Sequence, residues 1–173
     1  GHNPEVPKPV NNITQWLWWS AGGGTANATG ELATAQPLPN IFIDEPDIAF
    51  SRENYAIAVW EEIYPLGSFV CPLSNLQIFQ SKIKYRVWDG NQWGPEQIAV
   101  TSPSNIALRR QHIYYRPAIA IDNNGKGLLL YIDWQTDYSV DCSSWTQEFR
   151  VKYARWNGLS FQGDMLLHQF TLL

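Results

Sequence analysis

At 173 residues the chain suits one domain or a short array of repeats, and it is long enough to bury a real core. Charged residues make up 16% against roughly 25% in an ordinary globular chain, and aromatics reach 14% with nine Trp, which favours a rigid, β-rich, weakly charged body. A net charge of −4 with only 12 basic residues leaves no electrostatic footprint for a nucleic acid or an anionic membrane, and no apolar run approaches the roughly 18 to 20 residues of a membrane-spanning helix.

Residues 1–11 carry Pro4, Pro7 and Pro9 without periodicity and read as an extended arm or linker. No signal peptide precedes Gly1, so the chain reads as a mature secreted form, an excised fragment or a cytosolic protein. The remainder, 12–173, reads as a single all-β repeat domain. Its first part, 12–38, is half a unit: a strand dense in tryptophan (Trp16, Trp18, Trp19), a Gly22-Gly23-Gly24 stretch, and a second strand near 30–35. Three tryptophans on one hairpin make a large apolar surface, so it is expected to pack against a neighbouring repeat or another chain.

The first complete unit, 46–103, is then written out again over 117–170. Pro46-Asp47-Ile48-Ala49 aligns with Pro117-Ala118-Ile119-Ala120 at an offset of 71 (117 − 46), which also places Trp60 on Tyr131, Glu62 on Asp133 and Cys71 on Cys142. After the cysteines the second copy is three residues shorter, and Lys84-Tyr85 aligns with Lys152-Tyr153 at an offset of 68 (152 − 84). A fixed period outranks local propensity as a fold signal. Each unit reads as four strands, at about 46–51, 55–63, 82–88 and 96–101, and again at about 117–122, 126–134, 149–156 and 161–169. Asp89-Gly90 and Asn157-Gly158 supply the same hairpin turn in both. No helical periodicity competes.

Apolar residues fall on both faces of each second strand, Ala56–Trp60 and Leu128–Ile132, so each small sheet needs cover on two sides. Radial stacking provides it, as in a β-propeller. The run Pro-x-Ile-Ala-x-Asp-x-x-Gly, followed by Tyr-x-x-Trp-Asp/Asn-Gly-x-x-Trp/Phe, resembles the blade repeat of secreted prokaryotic propellers of the sialidase-like and lectin-like kind, over about residues 46–170. That resemblance implies propeller-like four-stranded antiparallel blades, two complete and one half. Propellers use about 4 to 8 blades, so other chains or a longer array would complete the ring; an open β-sandwich is the alternative. The Trp-Asp-Gly turn is also similar to that of small fucose-binding propeller lectins, whose two-bladed chains trimerise. The Ser-x-Asp-x-Gly-x-x-Thr-Trp box of sialidases and an arginine triad are both missing, so the resemblance carries over no active site.

On the face bearing the loop between the second and third strands, here expected over Pro65–Gln80 in the first unit, the candidate ligand-binding residues are Glu62, Arg110, His112, Tyr114, Tyr115, Trp134, Tyr138 and Trp145. Aromatic faces with a few hydrogen-bonding groups suit sugar rings, whose C–H side stacks on a π-face. Against this stands plain packing of Tyr114, Tyr115 and Trp134 between sheets. Glu62 and Asp133 either form an acidic rim that takes Ca²⁺ or pair with Lys84 and Lys152 across the hairpin. Three histidines and two cysteines show no metal-ligand spacing, and no Gly-x-Ser-x-Gly or Cys/His arrangement appears, so no catalytic residue and no cofactor is expected.

Cys71 and Cys142 each lie 25 residues into their repeat (71 − 46, 142 − 117), which places both on one face of neighbouring sheets and predicts a disulfide between them. The alternative is two small buried hydrophobes in a reducing compartment. Asn12-Ile13-Thr14 and Asn27-Ala28-Thr29 fit the N-glycosylation pattern. Together these features predict an extracellular or cell-surface binding module for glycan or protein that self-associates, or alternatively a self-assembling structural subunit; a glycosidase-like fragment is a minor alternative.

Overall fold

A computed structural model describes residues 13–19, 26–34, 42–51, 55–72 and 75–171, with side chains from Pro46 onward. The arm 1–11, the acceptor Asn12 and the side chains of the first hairpin, Asn27 included, lie outside the described residues. Ten strands follow in order: β1 (Ile13–Trp19), β2 (Ala26–Thr34), β3 (Phe42–Phe50), β4 (Ala56–Val70), β5 (Asn75–Trp88), β6 (Gln97–Thr101), β7 (Arg110–Ile121), β8 (Gly127–Tyr138), β9 (Trp145–Trp156) and β10 (Phe161–Thr171). No helix occurs among the described residues. β1 and β2 form an antiparallel hairpin. The other eight form one open sheet in the order β10-β9-β8-β7-β5-β4-β3, with β6 also on β5. The sheet is open and does not close on itself.

Within that sheet the repeat is plain. β3–β6 is one antiparallel meander and β7–β10 the other. They join through one parallel pairing, Gln80 with His112, where β5 extends past the end of β6. Serines seal this joint: Ser81 N donates to Ser102 Oγ at 2.9 Å, and Tyr114 N to Ser81 Oγ at 2.5 Å. Proline at the same place in each repeat has a structural cause. Register slips between Asp44 and Asp47 in β3 and between Tyr115 and Ala118 in β7, so Pro46 and Pro117 stand at matching β-bulges, where a residue with no N–H breaks no ladder. The hairpin turns match too. Asp89 Oδ1 accepts from Asn91 N and Gln92 N, both at 2.8 Å, and Asn157 Oδ1 from Leu159 N and Ser160 N at 2.9 and 3.0 Å. Gly90 and Gly158 adopt φ of 99° and 103°, which other residues rarely do.

The expected loop Pro65–Gln80 is mostly ladder. β4 and β5 continue in register out to Val70 and Asn75, and β8 and β9 out to Tyr138 and Trp145. Pro65 and Gly67 do not end β4, because a second bulge between them absorbs both.

The two meanders share one core. Ile57, Val59, Ile83 and Tyr85 of the first pack with Tyr114, Leu129, Tyr131, Ala154 and Trp156 of the second. Tyr85 sits edge-on to Trp156 and Phe161, with ring centroids 5.5 and 5.0 Å apart. β4 is buried on both faces from Ala56 to Glu61, as its unbroken apolar run anticipates. A smaller cluster at the far ends of the hairpins, Phe69, Cys71 and Ile78 with Leu66, Leu76, Ile106 and Tyr138, surrounds the disulfide. Cys71 and Cys142 are bonded, their Cα atoms 5.8 Å apart. The long hairpins bring them within reach, and the closed loop removes freedom from the unfolded chain.

Denatured but unreduced protein is therefore expected to show no free thiol. Replacing Cys71 and Cys142 by Ser should lower unfolding stability by about 2–4 kcal/mol, read from the urea midpoint at unchanged slope.

Candidate functional site

A charged network on the second meander is anchored on one buried carboxylate and reaches the surface at Asp164. Asp133 is fully buried, with His112 Nδ1 at 2.8 Å, Arg150 Nη1 at 3.3 Å and Lys152 Nζ at 3.6 Å from its carboxylate. Lys152 also reaches Asp164 at 2.8 Å, and Asp164 accepts from the hydroxyls of Tyr114 and Tyr131, both at 2.6 Å. The first repeat carries a shorter version, with Lys84 Nζ 2.7 Å from Glu62 and 2.6 Å from Glu96. Register explains the recurrence. Lys84 stands opposite Trp60 and Lys152 opposite Tyr131, so the carboxylate two residues further along β4 or β8 is its diagonal neighbour on the same face. Glu62 is thus the partner of Lys84. Among the described residues, no group of three or more His, Cys, Asp or Glu side chains is placed to hold a metal ion.

Electrostatics follows from this pairing. Burial, then donation to Asp164, pushes Tyr114 and Tyr131 far above the usual phenol range. Burial alone would raise Asp164, but the hydrogen bonds from Lys152, Tyr114 and Tyr131 outweigh it and hold its carboxyl below the ordinary value. These groups satisfy one another, so the network fixes the fold of the second meander.

The opposite face of the same strands is different. A shallow cavity of about 320 Å³ is lined by Gln111 of β7, Trp134, Thr136 and Tyr138 of β8, and Trp145 and Gln147 of β9. Gln111, Thr136 and Gln147 stand opposite one another across three strands, as do Tyr138 and Trp145 across two, which puts all of them on one face. Trp134 stacks on Phe149 with centroids 5.8 Å apart and planes inclined by 11°, and Tyr115 meets its edge at 6.5 Å. Tyr138 leans its other side on Phe69 beside the disulfide, at 6.0 Å. Trp145 is 60% exposed, a ring held at the rim by its strand. No lining side chain is charged.

Three of the eight candidate residues, Trp134, Tyr138 and Trp145, converge on this cavity, and Tyr115 supports its wall. Arg110 is occupied by Asp137 at 2.5 Å. His112 and Tyr114 share β7 with Gln111, but strand alternation turns them to the buried face. Gln111, Thr136 and Gln147 are the lining residues that the sequence reading missed. Period two was the signal for Thr136, since every second residue of β8 from Trp134 shares its face; Gln111 and Gln147 follow only from the register of β7 and β9.

No family model, no curated protein and no solved structure matches this chain.

Two expectations follow for the network. Asp133→Ala, which leaves His112, Arg150 and Lys152 around an empty site, should cost about 3–5 kcal/mol. For pH, the contribution of Asp164 is complete above the ordinary carboxyl value of about 4 and is lost as pH falls through its own lower value; Asp164→Asn should flatten that acid limb of the stability curve. Tyr114 and Tyr131 act at the other end: their contribution is complete below about pH 10 and is lost as pH rises. Ultraviolet titration should show both ionising only as the fold opens.

Proposed function

We propose that this chain is a non-catalytic, extracellular binding module that holds a neutral saccharide in the cavity between Trp134, Tyr138 and Trp145. The observation that carries the reading is the chemistry of the lining: three aromatic rings beside two carboxamides and a hydroxyl, with no charge. A pyranose offers an apolar C–H face to a ring and hydroxyls to planar amides, so Gln147 and the amide nitrogen of Gln111, whose Oε1 already accepts from Phe79 N at 2.9 Å, would set orientation while Trp145 supplies contact area. An uncharged wall favours a neutral sugar over an acidic one. The disulfide fits an oxidising compartment, in which Asn12 and Asn27 would be open to N-glycosylation. On this reading the two meanders are blades of a propeller-like array, and the cavity lies at the disulfide end of β7, β8 and β9.

Titrating neutral mono- and oligosaccharides against tryptophan fluorescence tests the proposal. A binding sugar is expected, and Trp145→Ala should weaken it at least tenfold, about 1.4 kcal/mol, while leaving unfolding unchanged because the ring is already exposed. Absence of binding across a broad panel of neutral glycans, or equal binding by the variant, would overturn it.

A further inference from the structure

An asparagine followed by glycine is prone to ring closure, because a residue without a side chain lets its own backbone nitrogen reach the asparagine's side-chain carbonyl. The sequence holds two such pairs, Asn124-Gly125 and Asn157-Gly158. Both stand in hairpin turns, between β7 and β8 and between β9 and β10, with each asparagine exposed. Their surroundings differ at all three atoms the reaction uses. In the first pair the attacking group, Gly125 N, donates to Asp122 O at 3.1 Å, and the departing group, Asn124 Nδ2, donates to Asp122 Oδ2 at 3.5 Å. No N–H donates to Asn124 Oδ1 among the described residues. In the second pair each condition is reversed. Gly158 N and Asn157 Nδ2 donate no hydrogen bond among the described residues, while Asn157 Oδ1 accepts from Leu159 N at 2.9 Å and from Ser160 N at 3.0 Å. Two amides on a carbonyl oxygen polarise its carbon and hold the charge that the oxygen gains on attack, as an oxyanion hole does.

We propose that Asn157-Gly158 is a self-processing deamidation site, at which the folded chain converts asparagine to aspartate. Gly158 N attacks Asn157 Cγ to close a five-membered succinimide; the Cγ–Nδ2 bond breaks, and ammonia leaves with the proton that Gly158 N gives up. Water then adds at Cγ and breaks its bond to Gly158 N, which restores the main chain and leaves a carboxylate at position 157. The net change is one water in and one ammonia out, with no oxidant, metal or partner. The first repeat shows that the product fits. At the offset of 68 the counterpart of Asn157 is Asp89, whose Oδ1 accepts from Asn91 N and Gln92 N at 2.8 Å, the counterparts of Leu159 N and Ser160 N. The bonds from Gln92 N and Asn91 N hold the Asp89 carboxyl below its ordinary value, so this turn favours an anion. Ring opening at the other carbonyl would carry the main chain through the side chain and lengthen it by one carbon; a turn built to seat Asp89 in the first repeat favours the aspartate branch. Conversion makes the two hairpin turns chemically alike and adds one negative charge to the net −4. Position 157 follows the end of β9, whereas the cavity lies at its start beside Trp145, so this proposal is independent of the saccharide reading.

A time course of the native protein in mildly alkaline buffer, followed by digestion and peptide mapping by mass spectrometry, tests the site. The peptide holding Asn157 is expected to gain the mass of an amide-to-acid change at least tenfold faster than the peptide holding Asn124, a difference of about 1.4 kcal/mol in barrier. In concentrated urea, where neither turn exists, the two rates should converge. Asn157→Asp should keep the unfolding midpoint of the wild type and show no further change in that peptide. Conversion of Asn157 no faster than Asn124 in the native protein would overturn the proposal, and so would a rate ratio that persists in urea, since local sequence and not the turn would then be its cause. A product at position 157 that is mainly isoaspartate, or an Asn157→Asp variant with a lowered midpoint, would overturn the aspartate branch.

Discussion

Everything in this fold depends on one face of the first meander being covered by the opposite face of the second. Tyr85 is the centre of that contact, with Trp156 and Phe161 set edge-on to its ring and Ile57, Val59 and Ile83 around it. A four-stranded unit of this size cannot bury both its faces alone, so each repeat is stable only as a neighbour of another. The two surfaces that meet are different, Ile57-Val59-Ile83-Tyr85 on one repeat and Leu129-Tyr131-Trp156 on the other.

Polar groups obey the same logic. Charged groups are paired on both meanders: Lys152 with Asp133 and Asp164, the Tyr114 and Tyr131 hydroxyls with Asp164, and, on the Trp60 face of the first repeat, Lys84 with Glu62 and Glu96. Replacing such an arrangement whole is often harmless, whereas breaking half of it leaves a buried charge. The charged chemistry of the second meander is thereby committed to holding the sheet. Its uncharged chemistry lies on the opposite face, where aromatic rings and amides meet beside the disulfide. Tyr138 belongs to both, touching the Cys71–Cys142 cluster with one side and the cavity with the other.

The period, the strand count of each repeat and the shared turns were legible before any coordinates, because they rest on local chemistry. Glycine after Asp89 and Asn157 permits the hairpin, and the equal spacing of Cys71 and Cys142 from their repeat starts places them on one face. The extent of the strands was not legible. Pro65 and Gly67 read as a loop, yet β4 runs through them, since a ladder already in register gains more by continuing than a bulge costs. Candidate residues were grouped by the end of the sheet they occupy, which gathers His112 and Tyr114 with Trp134. Only the register shows that they lie on opposite sides.

The sequence by itself determined that this is a doubled four-strand unit, where its hairpins turn, and that its cysteines are matched, since each follows from residues near in sequence or from the repeat. Which face of each repeat is covered, whether eight strands close a ring or stay open, and which aromatic rings remain accessible were decided by the tertiary structure. The physical reason is that a strand's two faces are both apolar here, so composition cannot say which one meets a neighbour; that choice is made by the stacking of whole sheets.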